Sequence, residues 1–200
     1  FVDCEIETGN IDLDLVEKAI GPRTKAISIV HYLGFPVDMA RLKSLASAHD
    51  LAIIEDAALA IGTRYDGIHA GLMGDLGAFS FYPVKHITTA EGGVVTTQNE
   101  EIAREIALIR AFGVDRTYGE RKIPGVYDTV ALGFNYRMNE IEAAMGVEQL
   151  KRVDGFLKLR ARNFAALEEG LASVDGLSFL RKAEPPFTHS HYCFQTLLDP

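Results

Sequence analysis

Two hundred residues, 48% hydrophobic and 24% charged, with a mean hydropathy of +0.06, describe a globular chain able to bury one substantial core. A formal net charge of -8 excludes a binder of phosphate backbones, which needs a basic face to displace counterions from the polyanion. A local basic site for one small anion stays open.

The chain begins in Phe1-Val2-Asp3, which reads as a strand. Ala26-Ile27-Ser28-Ile29-Val30 and Leu51-Ala52-Ile53-Ile54 are apolar strand-like runs. Between them Asp38 caps a predicted helix whose Met39, Leu42, Leu45 and Ala46 repeat near 3.6 and share one face. Leu76 to Phe81 and Gly92 to Thr97 read as further strands. A helix capped at Asn99 follows, with Ile102, Ile106 and Ile109 on its buried stripe. This alternation predicts an α/β fold: a central, mostly parallel or mixed sheet with helices on both faces.

Periodicity disappears from Gly113 to Gly133, a length of loop that compact domains reserve for function or mobility. Its Arg116, Arg121 and Lys122 could meet a diphosphate or form a solvated charged loop. Asn139 caps a long helix with Ile141, Ala144 and Met145 on one face, running on through Leu150, Val153, Phe156 and Leu157, with Gly155 as the expected bend or break. After Gly170 short strands surround Pro185-Pro186. The boundary is therefore set at residue 170: residues 1–170 as part of a large domain and 171–200 as the start of a smaller one. No apolar run is long enough to span a bilayer and no basic-then-apolar leader opens the chain, so a cytoplasmic protein is expected. Cys4 and Cys193 match no metal-ligand or disulfide spacing. Both ends read as cuts through a longer protein.

Two residues stand out chemically. Asp56, in Ile53-Ile54-Glu55-Asp56-Ala57-Ala58, ends an apolar strand, and open α/β sheets bind ligands outside the carboxyl ends of their strands. A solvated strand cap is the alternative. Lys85 follows a strand and a rigidifying proline in Phe79-Ser80-Phe81-Tyr82-Pro83-Val84-Lys85-His86. A desolvated lysine loses its proton more readily and can attack a carbonyl to form a Schiff base. By itself such a lysine could equally be a surface group, but Ser80, Thr88, Thr89, Glu91, Gly92 and Gly93 surround it with hydroxyls and a flexible turn suited to a phosphate ester. An acid after one strand and a lysine after a later one are the two protein groups that pyridoxal phosphate chemistry requires. Spacing alone does not establish it.

The wording of three segments is more specific. Ile54-Glu55-Asp56-Ala57-Ala58, the run from Phe79 to Gly93, and Gly133-Phe134-Asn135-Tyr136-Arg137-Met138-Asn139-Glu140 resemble the DegT/DnrJ/EryC1/StrS sugar aminotransferases, in the right order and over nearly the whole chain. The resemblance implies the large domain of a fold-type-I enzyme that uses pyridoxal 5'-phosphate and works as a homodimer with active sites at the subunit interface. It implies that Asp56 pairs with the pyridine nitrogen, that Lys85 carries the cofactor as a Schiff base, and that Ser80 binds its phosphate. Asn135 matches a residue given to the phosphate of the neighbouring subunit. Arg137 matches a position reaching the sugar-nucleotide or cofactor side, or is a surface arginine. Family members also carry an N-terminal segment with further phosphate contacts and a C-terminal domain closing the site.

The implied reaction moves an amino group, from glutamate, onto a keto carbon of a nucleotide-linked deoxysugar. The Ile87-Thr88-Thr89-Ala90-Glu91-Gly92-Gly93 wording looks most like members acting at C4, as in perosamine-type or bacillosamine-type pathways. The alternatives are a sugar dehydratase, in which the lysine is often replaced by histidine, and a non-catalytic binding module on the same fold. Leu59, three positions after the aspartate, departs from the family's usual polar side chain and offers no donor or acceptor. Gly71, Gly74 and Gly77 form no dinucleotide fingerprint and read as turn glycines. His189, His191 and Cys193 would share one face of a strand by period two, and read as structural instead of metal-binding.

Overall fold

The computed structural model describes residues 1–115, 118–120, 122, 123 and 126–198. Phe1–Asp3 do not form the expected strand: Cys4 bridges Ile11 and the Asp3 carbonyl accepts the Asp12 N–H, but among the described residues no strand pairs with them. Helix α1 (Leu13–Ala19) follows, capped by Asp12, whose carboxylate accepts the N–H groups of Asp14 and Leu15. Strand β1 (Ala26–Val30) then pairs in parallel with β2 (Ala52–Asp56), Ile27 opposite Ile53 and Val30 opposite Asp56. A parallel pair needs a crossover. Helix α2 (Met39–Ala48) supplies it, with Asp38 accepting the Arg41 N–H as predicted.

After β2 a two-residue turn at Asp66-Gly67, both in the left-handed region, joins β3 (Arg64–Tyr65) to β4 (Ile68–His69). β5 (Leu76–Ser80) lies parallel to β2 with Asp56 opposite Ala78, and β6 (Gly93–Thr96) returns antiparallel with Gly93 opposite Ser80. The resulting sheet has the order β1-β2-β5-β6. Leu13 and Val16 of α1 and Met39, Leu42 and Ala46 of α2 close over Ile27, Ile29 and Ile53 to make the core. Each of these side chains other than Ala46, fully buried, contributes roughly 1.5–3 kcal/mol.

The predicted glycine turns need one correction. Gly71 and Gly74 lie in the connection to β5, but Gly77 is inside the strand, paired with Glu55 and Thr96, where a Cβ would stand 2.1 Å from the Gly71 carbonyl oxygen.

Helix α3 (Glu100–Ile109) is capped by Asn99 as expected, yet none of it is fully buried and Ile109 is exposed. Ile106 and Ile109 line an open cavity of about 790 Å³, shared with Val94, Val95, Tyr136 and Met138. Helix α4 (Glu140–Leu150) starts at Asn139 with a reciprocal capping box to Glu142, but its Ile141 and Met145 are exposed, contrary to the predicted buried face. The expected break at Gly155 also falls elsewhere. The chain turns at Lys151 and Arg152, and Gly155 lies inside α5 (Val153–Leu171), whose direction is set by Leu157 against Gly62 and Arg160 against the Tyr192 carbonyl. β7 (Leu177–Phe179) pairs with β9 (Thr196–Leu198), while β8 (Phe187–Thr188) joins the β3–β4 hairpin. Among the described residues no helix is long and apolar enough to cross a membrane.

Candidate active site

Asp56 closes β2 at its carboxyl end, half-buried, with its backbone carbonyl accepting the His31 N–H. Its Oδ1 accepts the Ala58 N–H at 2.9 Å, a local turn that orients the carboxylate, and its Oδ2 takes no hydrogen bond among the described residues. On the neighbouring strand Ala78 stands opposite Asp56, so Ser80, two residues on, lies just beyond it on the same face of the sheet. Ser80 Oγ accepts the Tyr82 N–H at 3.3 Å, which leaves its O–H free to donate.

Lys85 sits on the loop that leaves β5 and returns in β6. The loop is closed at its neck: Phe81 N–H donates to the Gly92 carbonyl at 2.9 Å, and Thr89 N–H and Thr88 Oγ1 donate to the Phe81 carbonyl at 3.0 and 2.9 Å. His86, Ile87 and Thr89 are buried beneath it, whereas Lys85 is half-buried, its Nζ 5.6 Å from the centre of the Tyr192 ring. Burial pushes the His86 imidazole down to about 4, against the opposing pull of its bond to the Ser190 carbonyl and with help from Arg160, His189 and Lys85.

Asp56, Ser80 and Lys85 thus belong to one region at the carboxyl ends of β2 and β5. Among the described residues Asn135 and Arg137 share no hydrogen bond or ion pair with these three. Asn135 is exposed, bridges Ala111 through its backbone, and accepts Arg137 Nε at 3.3 Å; the Arg137 guanidinium lies 4.9 Å from the Phe112 ring centre. Of the loop read as a diphosphate contact, Arg116 and Arg121 lie outside the described residues.

Two buried groups had no functional signal in the sequence. His31 and Glu55, both fully buried, are joined at 2.8 Å. Glu55 also accepts the N–H groups of Gly71, Met73 and Gly74, and so holds the connection ahead of β5. Ser190 fastens three loops at once. A lone serine carries no pattern in the sequence that would mark it. At Leu59 the side chain offers no polar group, but its carbonyl accepts Ser190 Oγ at 3.3 Å.

The His189, His191 and Cys193 segment is not a strand, since β8 ends at Thr188 and His191 has φ of 54°. The two histidine rings meet Phe164 edge-on, with their own centres 4.7 Å apart, while Cys193 is exposed. Among the described residues no cluster of histidine, cysteine or acid could hold a metal.

A mostly parallel sheet with a lysine-bearing loop and an acid at the carboxyl ends of adjacent strands is the architecture of the large domain of fold-type-I pyridoxal phosphate enzymes. The chain belongs to the DegT/DnrJ/EryC1/StrS aminotransferase family, whose model matches residues 1–200. It is 43% identical over 174 residues to the GDP-perosamine synthase of Caulobacter vibrioides, covering 87% of this chain and 45% of that protein. It is 36% identical over 195 residues to the dTDP-4-dehydro-2,6-dideoxy-D-glucose 3-dehydratase of Saccharopolyspora spinosa, covering 88% and 42%. The crystal structure of AtS13 from Actinomadura melliaura superposes with a TM-score of 0.91 at 35% identity, over 100% of this chain and 54% of that one. The chain therefore spans about half the length of these relatives.

Proposed function

We propose that the full-length protein is a pyridoxal 5'-phosphate-dependent aminotransferase that moves an amino group, from glutamate, onto the C4 keto carbon of a nucleotide-linked deoxysugar. The observation that carries this reading is Lys85, half-buried on a closed loop that leaves the strand beside Asp56. The donor set fits the cofactor: among the described residues it offers a carboxylate with one open oxygen, an amine, and a serine O–H with no acceptor of its own. Similarity to a GDP-perosamine synthase supports the choice of substrate class.

Pyridoxal phosphate, when bound, supplies an electron sink for the carbon that loses its proton. Asp56 would hold a proton at the pyridine nitrogen through charge pairing. Lys85 Nζ would hold the cofactor covalently and, once displaced as a free amine by the incoming donor amine, would take and return the proton at the carbon bearing the migrating nitrogen. Ser80 would donate its O–H to the phosphate. Asn135 serves the phosphate of a partner subunit, which its exposed position permits, and Arg137 faces the sugar nucleotide. We place the enzyme in the cytoplasm as a homodimer; the exposed Val94, Val95 and Tyr136, which line one open cavity, support a partner over that surface. Residues 1–170 form the central part of the cofactor-binding domain and 171–200 begin a smaller one.

Dehydratase chemistry is the second reading, favoured by the 36% identical relative. Retention of a lysine at position 85 supports transfer. The deciding experiment is the visible absorbance spectrum of the full-length protein with and without glutamate, beside Lys85→Ala. A Schiff-base band that glutamate converts to the pyridoxamine form, absent from the variant, is expected. A band that glutamate leaves unchanged, with loss of a sugar hydroxyl instead, sinks the transferase reading; no band even with added cofactor sinks both.

A further inference from the structure

Ser190 is buried and uses every polar group it has. Its N–H donates to the Gly34 carbonyl at 3.1 Å, its Oγ donates to the Leu59 carbonyl at 3.3 Å, and its own carbonyl accepts from His86 Nε2 at 3.1 Å. Gly34 follows β1, Leu59 follows β2 and His86 follows β5. One residue thus ties together the loops beyond the carboxyl ends of the three parallel strands, reaching His86 across 104 positions of sequence. Its approach to the first loop depends on glycine: Gly34 has φ of +87°, and a Cβ there would stand 2.0 Å from Ser190 Oγ.

The His86 end of this clamp has one chemical form. A carbonyl only accepts, so Nε2 carries the hydrogen. Nδ1 is buried with no partner among the described residues, so a second proton there would be unsatisfied, and burial keeps the ring neutral well below pH 7. Two residues past Ser190, the Tyr192 ring lies 5.4 Å from the His86 ring and 5.6 Å from Lys85 Nζ, while Arg160 Nη1 holds the Tyr192 carbonyl at 2.9 Å.

We infer that Ser190 and His86 are positioning residues that set where Lys85 stands relative to Asp56, an inference that rests on the roles given to those two residues above. Strand pairing places Asp56 against Ala78 and ends at Ser80, so the ladder alone does not fix Lys85, five residues further on. The neck bonds at Phe81 hold the base of the loop; Ser190 holds its inner end, next to the lysine. A reacting group displaced by about 1 Å can lose on the order of 100-fold in rate, which is what the clamp prevents.

The test uses the full-length holoenzyme as wild type, His86→Phe, His86→Gln and Ser190→Ala. Phenylalanine keeps the ring against Tyr192 without the donor, and the glutamine amide restores a donor near the Nε2 position. The His86→Phe change is expected to slow the glutamate half-reaction about 10- to 100-fold, mainly in kcat. It also shifts the pH midpoint of the visible band and speeds amide exchange of residues 81–90 in the cofactor-free protein. The glutamine variant recovers most of each effect. A folded His86→Phe enzyme with the wild-type midpoint and half-reaction rate overturns the inference, even if its Tm falls. Should His86→Phe not fold, Ser190→Ala, which keeps both backbone bonds, decides by the same midpoint and rate. A wild type with no glutamate-sensitive band overturns the aminotransferase reading and this inference with it; a responsive wild type whose variants keep its midpoint and half-reaction rate overturns this inference alone.

Discussion

His31 Nε2 stands 2.8 Å from Glu55 Oε2 in a fully buried pair, and Val37 N–H donates to His31 Nδ1 at 3.1 Å. The backbone donor leaves Nδ1 bare, so Nε2 carries the hydrogen given to the carboxylate. Burial acts to raise the Glu55 carboxyl, but the bonds from His31, Gly74 and Gly71 outweigh it and hold the group below its ordinary value of 4.5. The pair joins the exit of β1 to the connection that precedes β5, and so braces the strands on either side of Asp56.

Replacing Glu55 with glutamine puts N–H against N–H at this site. We expect a loss of about 3 kcal/mol in the full-length protein, read as a lower urea midpoint at pH 7. The sign with pH follows from the lowered carboxyl. Its stabilisation is present above about pH 4.5 and is lost as pH falls through the folded value, so the variant has a flatter acid limb. An unchanged midpoint would show that the four donors find other partners.

His189 is pushed down to about 4, chiefly by burial, against its bond to the Leu33 carbonyl and with a smaller contribution from His191. The unfolded imidazole titrates near 6.5, so this group's stabilisation is full above that pH and falls away toward pH 4. Wild type should lose about 2 kcal/mol from this histidine between pH 7 and pH 5. In His189→Phe, which keeps the ring between Phe35 and Phe164, the difference between urea midpoints at the two pH values should shrink accordingly.

Gly77→Ala places a methyl group against the Gly71 backbone, where no side chain can swing away. A loss of about 3 kcal/mol or more is expected, measured as a fall in soluble yield and Tm. Gly21→Ala is the control: no atom lies within 4 Å of its added Cβ, and its Tm should hold or rise slightly.

Asp56→Asn keeps the shape and the Ala58 bond but removes the charge that holds a proton on the pyridine nitrogen. The glutamate half-reaction should slow on the order of 100-fold or more while cofactor remains bound. Stopped-flow absorbance measures the rate, and an unaltered rate would remove Asp56 from the site.

Much of this protein was legible without coordinates. Asp38, Asn99 and Asn139 each cap the helix expected of them, because a cap is a bond between residues three positions apart. Strands β1, β2 and β5 announced themselves as short apolar runs, and the wording around Asp56 and Lys85 carried the family. These signals are local, and local geometry repeats with the sequence.

What the tertiary structure decided has no such period. The apolar stripes of α3 and α4 look equally fit for burial in the sequence, and only the packing shows Ile102 and Ile106 partly buried and Ile109, Ile141 and Met145 exposed. The break between α4 and α5 falls at Arg152 instead of Gly155, since contacts to Gly62 and Tyr192 set the helix direction, not glycine's weak preference. Ser190 is the clearest case. Its partners Gly34, Leu59 and His86 meet it only after three strands have aligned their ends, and no spacing along the chain encodes a contact made by folding across 104 residues.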